Sequence, residues 1–318
     1  MEKNDFEHAL GQIPNQLRKG VTLGQKIEGT FDSIFIIGMG GSALPGLLLQ
    51  NYISHSCEIP VHILRTPIIP ATLTKRSLVF VISFSGNTEE TILAYRKIVR
   101  KGPHIVVMSS GGKLEQLAPM YKNTYIKIPT ALQPRLALGS LFAPIVSTLE
   151  QSGILTGTLQ EIEEVAKLLE TTNYQDYAQE LAQKIGERTP LIYTHETLSF
   201  IGYRWKIAFN ENANTFAFTN TIPELFHNEL NALDDLTPYF VIIIKDSTDD
   251  AQINEKIEAF HSFVKKRTDA AIEIVLRGNS RLGKLFTSAS LADWVSYQMA
   301  KSKGIDPAAI SVIEAFKK

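Results

Sequence analysis

Ser33-Ile34-Phe35-Ile36-Ile37-Gly38-Met39-Gly40-Gly41-Ser42-Ala43 sets the fold class. An apolar run rich in β-branched residues ends at a glycine, and a helical pattern through Leu47–Leu49 follows. This reads as strand, tight turn, helix. A strand apolar at every position has to be covered on both faces, which belongs to a parallel sheet flanked by helices. The same rhythm continues outward. Strand candidates stand at Val61–Leu64, Leu78–Ser83, His104–Met108 and Thr124–Ile128, separated by helical stretches such as Glu89–Arg100.

From Leu138 to about Leu169 the pattern is helical, with breaks near Gly153 and Gly157. The domain boundary is expected there, giving domains 1–153 and 154–318. Strands are then expected at Pro190–Tyr193, Tyr239–Ile244 and Ile272–Leu276, and helices at Leu198–Phe209, Ile253–Arg267 and Leu282–Lys303. The two halves share a rhythm but no evident sequence repeat.

A chain of 318 residues with 44% hydrophobic content can build two cores. Its formal net charge is −1, and Lys and Arg are scattered. That lacks the basic patch that binding a phosphate backbone demands, so nucleic acid is not an expected partner. Cys57 is the only cysteine, which excludes an internal disulfide and a thiolate zinc cluster. The start has no apolar signal core, and runs such as Phe240–Ile244 fall far short of the roughly 20 residues that span a bilayer. A cytoplasmic protein without a membrane partner is expected.

Five motifs bear on chemistry. The glycines of Gly38–Ala43 let a backbone approach an anion at a helix start, and also fit the permissive dinucleotide pattern. A ribose-binding acid should then end the second strand, but Val61–Leu64 runs into Arg65 and Thr66. NAD is therefore disfavoured, and only NADP stays open through Arg65. Ser83-Phe84-Ser85-Gly86-Asn87-Thr88-Glu89-Glu90 gathers three hydroxyls and several free amides at one helix start, which suits a phosphate; simple capping by Thr88 or Asn87 explains one hydroxyl only. Arg135, after Pro134, reads by itself as a solvated loop charge. Glu211, between Asn210 and Asn212 at a helix end, is a general base or a polar terminus. Glu224 and His227 have the spacing of carboxylate-bridged metal sites, but the chain offers no second copy and no zincin histidine pair. No metal is expected.

Taken together, GMGGSA at Gly38–Ala43, SFSGNTEE at Ser83–Glu90, Pro134-Arg135-Leu136-Ala137-Leu138-Gly139, the NEN of Asn210–Asn212, PELFHNE at Pro223–Glu229 and a DP before a terminal Lys resemble the bifunctional phosphoglucose/phosphomannose isomerases in order and spacing over nearly the whole chain. The resemblance implies two sugar-isomerase (SIS) domains, each a parallel sheet sandwiched by helices. It also implies a homodimer, no cofactor, and a sugar phosphate substrate. Carried over by motif, Gly40, Gly41, Ser42, Ser83, Ser85 and Thr88 surround the substrate. Glu211 is the base that moves a proton between C1 and C2, and Arg135 stabilises the enediolate. His227, from the partner subunit, and Lys317 serve ring opening. The chain departs from the family pattern at Asp306-Pro307-Ala308-Ala309-Ile310, where DPTPV is common, and in doubling its terminal lysine, so Lys317 is chosen by spacing.

The expected activity is interconversion of glucose 6-phosphate or mannose 6-phosphate with fructose 6-phosphate, as in glycolysis and gluconeogenesis. One competitor is a non-catalytic sugar-phosphate-binding regulatory protein, which would keep the phosphate loop but has no need of Arg135, Glu211 and His227. Others are the isomerase half of an enzyme making glucosamine 6-phosphate, which would want a glutamine-hydrolysing domain, and an NADP oxidoreductase.

Overall fold

The computed structural model describes residues 4–131, 133–309 and 315. The chain forms two compact units. One runs from Gly11 to Glu170, and the other joins the segment through Leu10 to the chain from Thr171 onward.

Helix α1 (Asn4–Leu10) belongs to the second unit, where Phe6 stacks on Tyr297 and Glu7 accepts from the Tyr297 hydroxyl at 2.8 Å. The first unit then contains α2 (Ile13–Val21), β1 (Ser33–Ile37), α3 (Leu44–Ile53), β2 (Val61–Leu64), β3 (Ser77–Ile82), α4 (Glu89–Val99), β4 (His104–Ser109), α5 (Gly112–Met120), β5 (Thr124–Lys127), α6 (Leu138–Gln151) and α7 (Thr158–Thr171). Its five strands are all parallel, in the order β2-β1-β3-β4-β5. Every residue of β1 and β3 is buried, as expected of strands apolar on both faces. One core gathers Phe35, Val79 and Val81 from the sheet with Ile92, Tyr95 and Ile98 of α4. Each such side chain contributes about 1.5–3 kcal/mol by leaving water.

The second unit continues with α8 (Gln175–Ile185), β6 (Thr189–His195), α9 (Ser199–Asn212), β7 (Phe218–Ile222), β8 (Tyr239–Lys245), α10 (Ala251–Lys265), β9 (Ala271–Val275) and α11 (Arg281–Ser302). Its sheet is parallel in the order β7-β6-β8-β9. Helices α9 and α11 are tied by polar pairs within an apolar contact. Arg204 bonds Asp293, the Trp205 indole donates to Ser288 at 3.1 Å, and Asn212 donates to Ser296 at 3.0 Å. Buried pairs of this kind fix which faces meet, because any slip leaves a polar group unpaired.

The expected division at 153/154 placed α7 with the second half, whereas the compact units part at Glu170/Thr171. Side chains on α7 explain the difference. Glu163 receives Arg18 at 2.8 Å, Glu170 also receives Arg18, and Glu161 receives the Tyr52 hydroxyl at 2.6 Å. Strand β7 was not foreseen: Phe218 is exposed and Thr219, Asn220 and Thr221 are only half-buried, so Phe218–Ile222 carries no apolar run. Among the described residues, no helix is long and apolar enough to cross a membrane.

Candidate active site

In the first unit the chain order reverses at β1, whose neighbours are β2 and β3. A crevice opens at the carboxyl ends of strands where order reverses, and ligands of doubly wound sheets sit there. The loops that follow β1 and β3 are the two Gly- and Ser-rich motifs, and they touch. The Ser42 hydroxyl accepts the backbone N–H of Phe84 at 3.1 Å.

Within the second loop the Ser83 and Thr88 hydroxyls are 2.8 Å apart, and the Thr88 N–H points at Ser83 Oγ at 3.4 Å. Thr88 stands at the N-cap position of α4 yet makes no side-chain cap to that helix. Its hydroxyl is turned to Ser83 instead. The capping alternative therefore fails for Thr88. The first-turn amides of α4 keep an uncapped, positively polarised end, the backbone geometry that binds anions. Ser83 is fully buried, Thr88 half-buried and Ser85 exposed. Ser85 Oγ accepts the Asn87 N–H at 3.2 Å, leaving its own hydrogen to donate.

The loop is held by a neighbour that sequence reading missed. Ser110 donates to the Phe84 carbonyl at 2.7 Å, and Asn87 accepts the Lys113 N–H at 3.1 Å. Gly86, at φ +70°, lies so close to this segment that a Cβ would meet the Gly111 carbonyl oxygen at 1.8 Å. The Ser110-Gly111-Gly112 run directly after β4 is the signal that could have marked it.

Arg135 is not a solvated loop charge. It is 2% exposed, in a 3-10 turn of Pro134–Leu136 that packs against the first glycine loop, where a Cβ on Gly41 would meet the Arg135 backbone nitrogen at 3.1 Å. Gly41 thus serves the approach of two protein segments. Gln16 of α2 clamps the turn, donating to the Leu136 carbonyl at 2.7 Å and accepting the Gly139 N–H at 3.2 Å. No local signal marks Gln16, whose partners lie more than a hundred residues away.

The structure groups Gly40, Gly41, Ser42, Ser83, Ser85, Thr88 and Arg135 in the first unit. Glu211 and His227 belong to the second. Glu211 is half-buried in the last turn of α9, between exposed Asn210 and fully buried Asn212, which Ser296 pins. The asparagines thus divide their work, one anchoring the helix end while the carboxylate keeps access to solvent. His227 is exposed on a short 3-10 turn of Glu224–His227 that follows β7, so it is not an interior histidine. Buried Leu225 holds that turn down, and Glu224 accepts from Asn228 at 2.8 Å. Nearby Glu229 takes the Tyr193 hydroxyl at 2.7 Å and Asn220 at 2.5 Å. Burial, with Glu229 adding to it, pushes the Tyr193 phenol well above its usual range, so it stays a donor. Lys317 lies outside the described residues.

Residues 174–318 match the family model described as the bacterial phospho-glucose isomerase C-terminal SIS domain, and residues 31–142 match the SIS domain. A bifunctional phosphoglucose/phosphomannose isomerase of Caldicellulosiruptor bescii is 32% identical, with 96% of each chain covered. One of Thermoplasma acidophilum is 34% identical, covering 99% of this chain and 97% of that protein. Among solved structures, the C-terminal domain of glucosamine-fructose-6-phosphate aminotransferase from Francisella tularensis has the same fold, with a TM-score of 0.77 at 15% identity over 96% of this chain and 99% of that one. Full-length identity above 30%, with both halves matching their domain models in order, places the chain in the family of bifunctional phosphoglucose/phosphomannose isomerases.

Proposed function

We propose that the protein interconverts glucose 6-phosphate and mannose 6-phosphate with fructose 6-phosphate by moving one proton through a cis-enediol. The observation that carries this is the uncapped N-terminus of α4, with the Ser83–Thr88 hydroxyl pair beside it at the sheet's reversal point. A phosphate held there is remote from the reacting carbons, so its binding energy orients C1 and C2.

Isomerisation then needs one carboxylate able to reach both carbons and a cation beside the oxyanion. Glu211 takes the proton from C2 of the open-chain aldose and returns it to C1. Arg135 faces the charge that develops on the oxygens, and its burial makes that charge effective. His227 and Lys317 exchange protons with the ring and anomeric oxygens to open the pyranose. His227 comes from the partner of a homodimer, which fits its exposure on a surface turn. Glu229 is a poorer base, because Tyr193 and Asn220 already occupy its two oxygens.

Coupled assays on mannose 6-phosphate, glucose 6-phosphate and a 6-phosphogluconate control test the reading. Turnover of both aldoses that requires the coupling enzymes supports it, with no absorbance change when they are left out. Binding without turnover would make the protein a regulator, and a nicotinamide absorbance change without coupling enzymes would make it an oxidoreductase.

A further inference from the structure

The second unit contains a cavity of about 390 Å³ that none of the residues discussed as catalytic lines. Tyr174 and Tyr177 border it at the start of α8, the strand end Glu273–Arg277 borders it along β9, and Leu291 closes it from α11. Such a volume is typical of a small-molecule pocket.

Its position follows from topology. Strand β9 is the last of its sheet, whereas the matching strand of the first unit, β4, is covered along its outer edge by β5. Parallel pairing turns alternate residues of β9 toward β8. The Val241 N–H reaches the Ala270 carbonyl and the Leu276 N–H reaches the Lys245 carbonyl, so Glu273 and Val275 present their backbone groups outward. Only these two outward positions border the cavity. The volume of about 390 Å³ is that of a compact molecule rather than of an added strand. A compact ligand fits better than a peptide.

The lining sets its chemistry. Burial pushes the Tyr174 phenol up to about 12, against Thr172, Ser290 and Arg277, and raises Tyr177 against Lys184 and Arg277, so both rings stay neutral. The guanidinium of Arg277 has no ion pair or hydrogen bond among the described residues; only its carbonyl is engaged, by the Thr287 hydroxyl at 2.6 Å. Glu273, the acid of the same strand, is committed to Lys245 at 2.9 Å. An uncommitted cation at an aromatic and apolar cavity selects for negative charge on an apolar body. A sugar phosphate is the wrong class, since a hydroxylated ring leaves the tyrosine and leucine surfaces unused.

We infer that this cavity binds an amphipathic organic anion, with its apolar or aromatic body against Tyr174, Tyr177 and Leu291 and its anionic head at Arg277. The test is a fluorescence titration of the full chain with anilinonaphthalene sulfonate, beside phenylnaphthylamine, which has the same rings without the charge. The sulfonate should saturate at one site per chain. Arg277→Glu should weaken it by roughly tenfold or more, the effect of losing one charge-assisted contact. Arg188→Glu, an equal charge change at an exposed residue that does not line the cavity, should leave it unchanged. Phenylnaphthylamine should bind more weakly and ignore Arg277→Glu. Displacement by adenosine monophosphate would identify a nucleotide source, and displacement by decanoate a lipid source. The inference is overturned if the sulfonate does not saturate, if both Arg variants bind it alike, if the uncharged probe binds equally well, or if neither competitor displaces it. All of these readouts are independent of turnover.

Discussion

Thr88→Val tests the phosphate cradle most directly, because it keeps the shape of the side chain and removes one hydroxyl. In the resting loop Ser83 Oγ lies 2.8 Å from Thr88 Oγ1 and receives the Thr88 N–H at 3.4 Å. The simplest arrangement has Ser83 donating to Thr88, which leaves the Thr88 hydrogen for the substrate. A hydrogen bond to a charged group is worth roughly 1.5–3 kcal/mol, or about 10- to 150-fold in kcat/KM. Because the phosphate is bound alike in ground and transition states, most of that should appear in KM. Ser83→Ala removes only the partner that orients Thr88, so about 1 kcal/mol is expected. With the two residues in contact, the double variant should fall short of the sum by roughly 0.5 kcal/mol or more. The assay is steady-state kinetics on fructose 6-phosphate, repeated with fructose itself, for which Thr88→Val should match the unaltered protein. Thr88→Val within twofold of wild type, or an equal loss on unphosphorylated fructose, would refute the reasoning.

Glu211→Gln keeps the shape of the side chain but cannot accept the carbon proton, so kcat should fall by about 10²–10⁴ with KM little changed. Fructose 6-phosphate converted in deuterated water should lose its label at C2 of the aldose in step; near-normal incorporation would turn attention away from Glu211. Gly86→Ala places a Cβ 1.8 Å from the Gly111 carbonyl at φ +70°, so it should lower the melting temperature and raise KM together. An unchanged melting curve would contradict the close approach. Exhaustive chelation should leave the rate intact, and restoration of a lost rate by zinc or manganese would replace general-base chemistry with a metal-assisted step.

Continuous apolar strands made the sheets legible. Ser33–Ile37 was read to the residue, and Tyr239–Ile244 needed only Lys245 added. Glycine and proline punctuation gave the ends of α6 and the start of α7. What stayed hidden depends on distant partners or on exposure. Strand β7 is half-polar because it is an edge, so burial contributes no apolar signature. Arg135 looks like any loop arginine until the glycine loop closes over its turn, and Gln16 gains its role only from a segment beyond residue 135. The compact units part after α7 because charged residues on that helix reach back to Arg18 and Tyr52, contacts with no local sequence signal.

The two units share a strand order around their reversal points but not the residues placed there. In the second unit the corresponding place lies at the carboxyl ends of β6 and β8. There the loop after β8 begins with Asp246, 4% exposed, which receives Lys284 at 2.6 Å and both the N–H and hydroxyl of Thr248, at 2.9 and 2.8 Å. Burial pushes this carboxyl upward, but the bonds from Lys284 and Thr248 outweigh it and hold the group below the usual carboxylate range. Donors that could have met a ligand's anion are met by one the chain supplies. A buried pair of this kind contributes little net stability but leaves a costly unpaired charge if either member is lost, so the place stays filled. The chemistry proposed for the second unit falls instead to the end of α9 with Glu211 and the turn after β7 with His227. The first unit, whose loop after β3 carries hydroxyls and no acid before Glu89, is the one proposed to meet the substrate's charge.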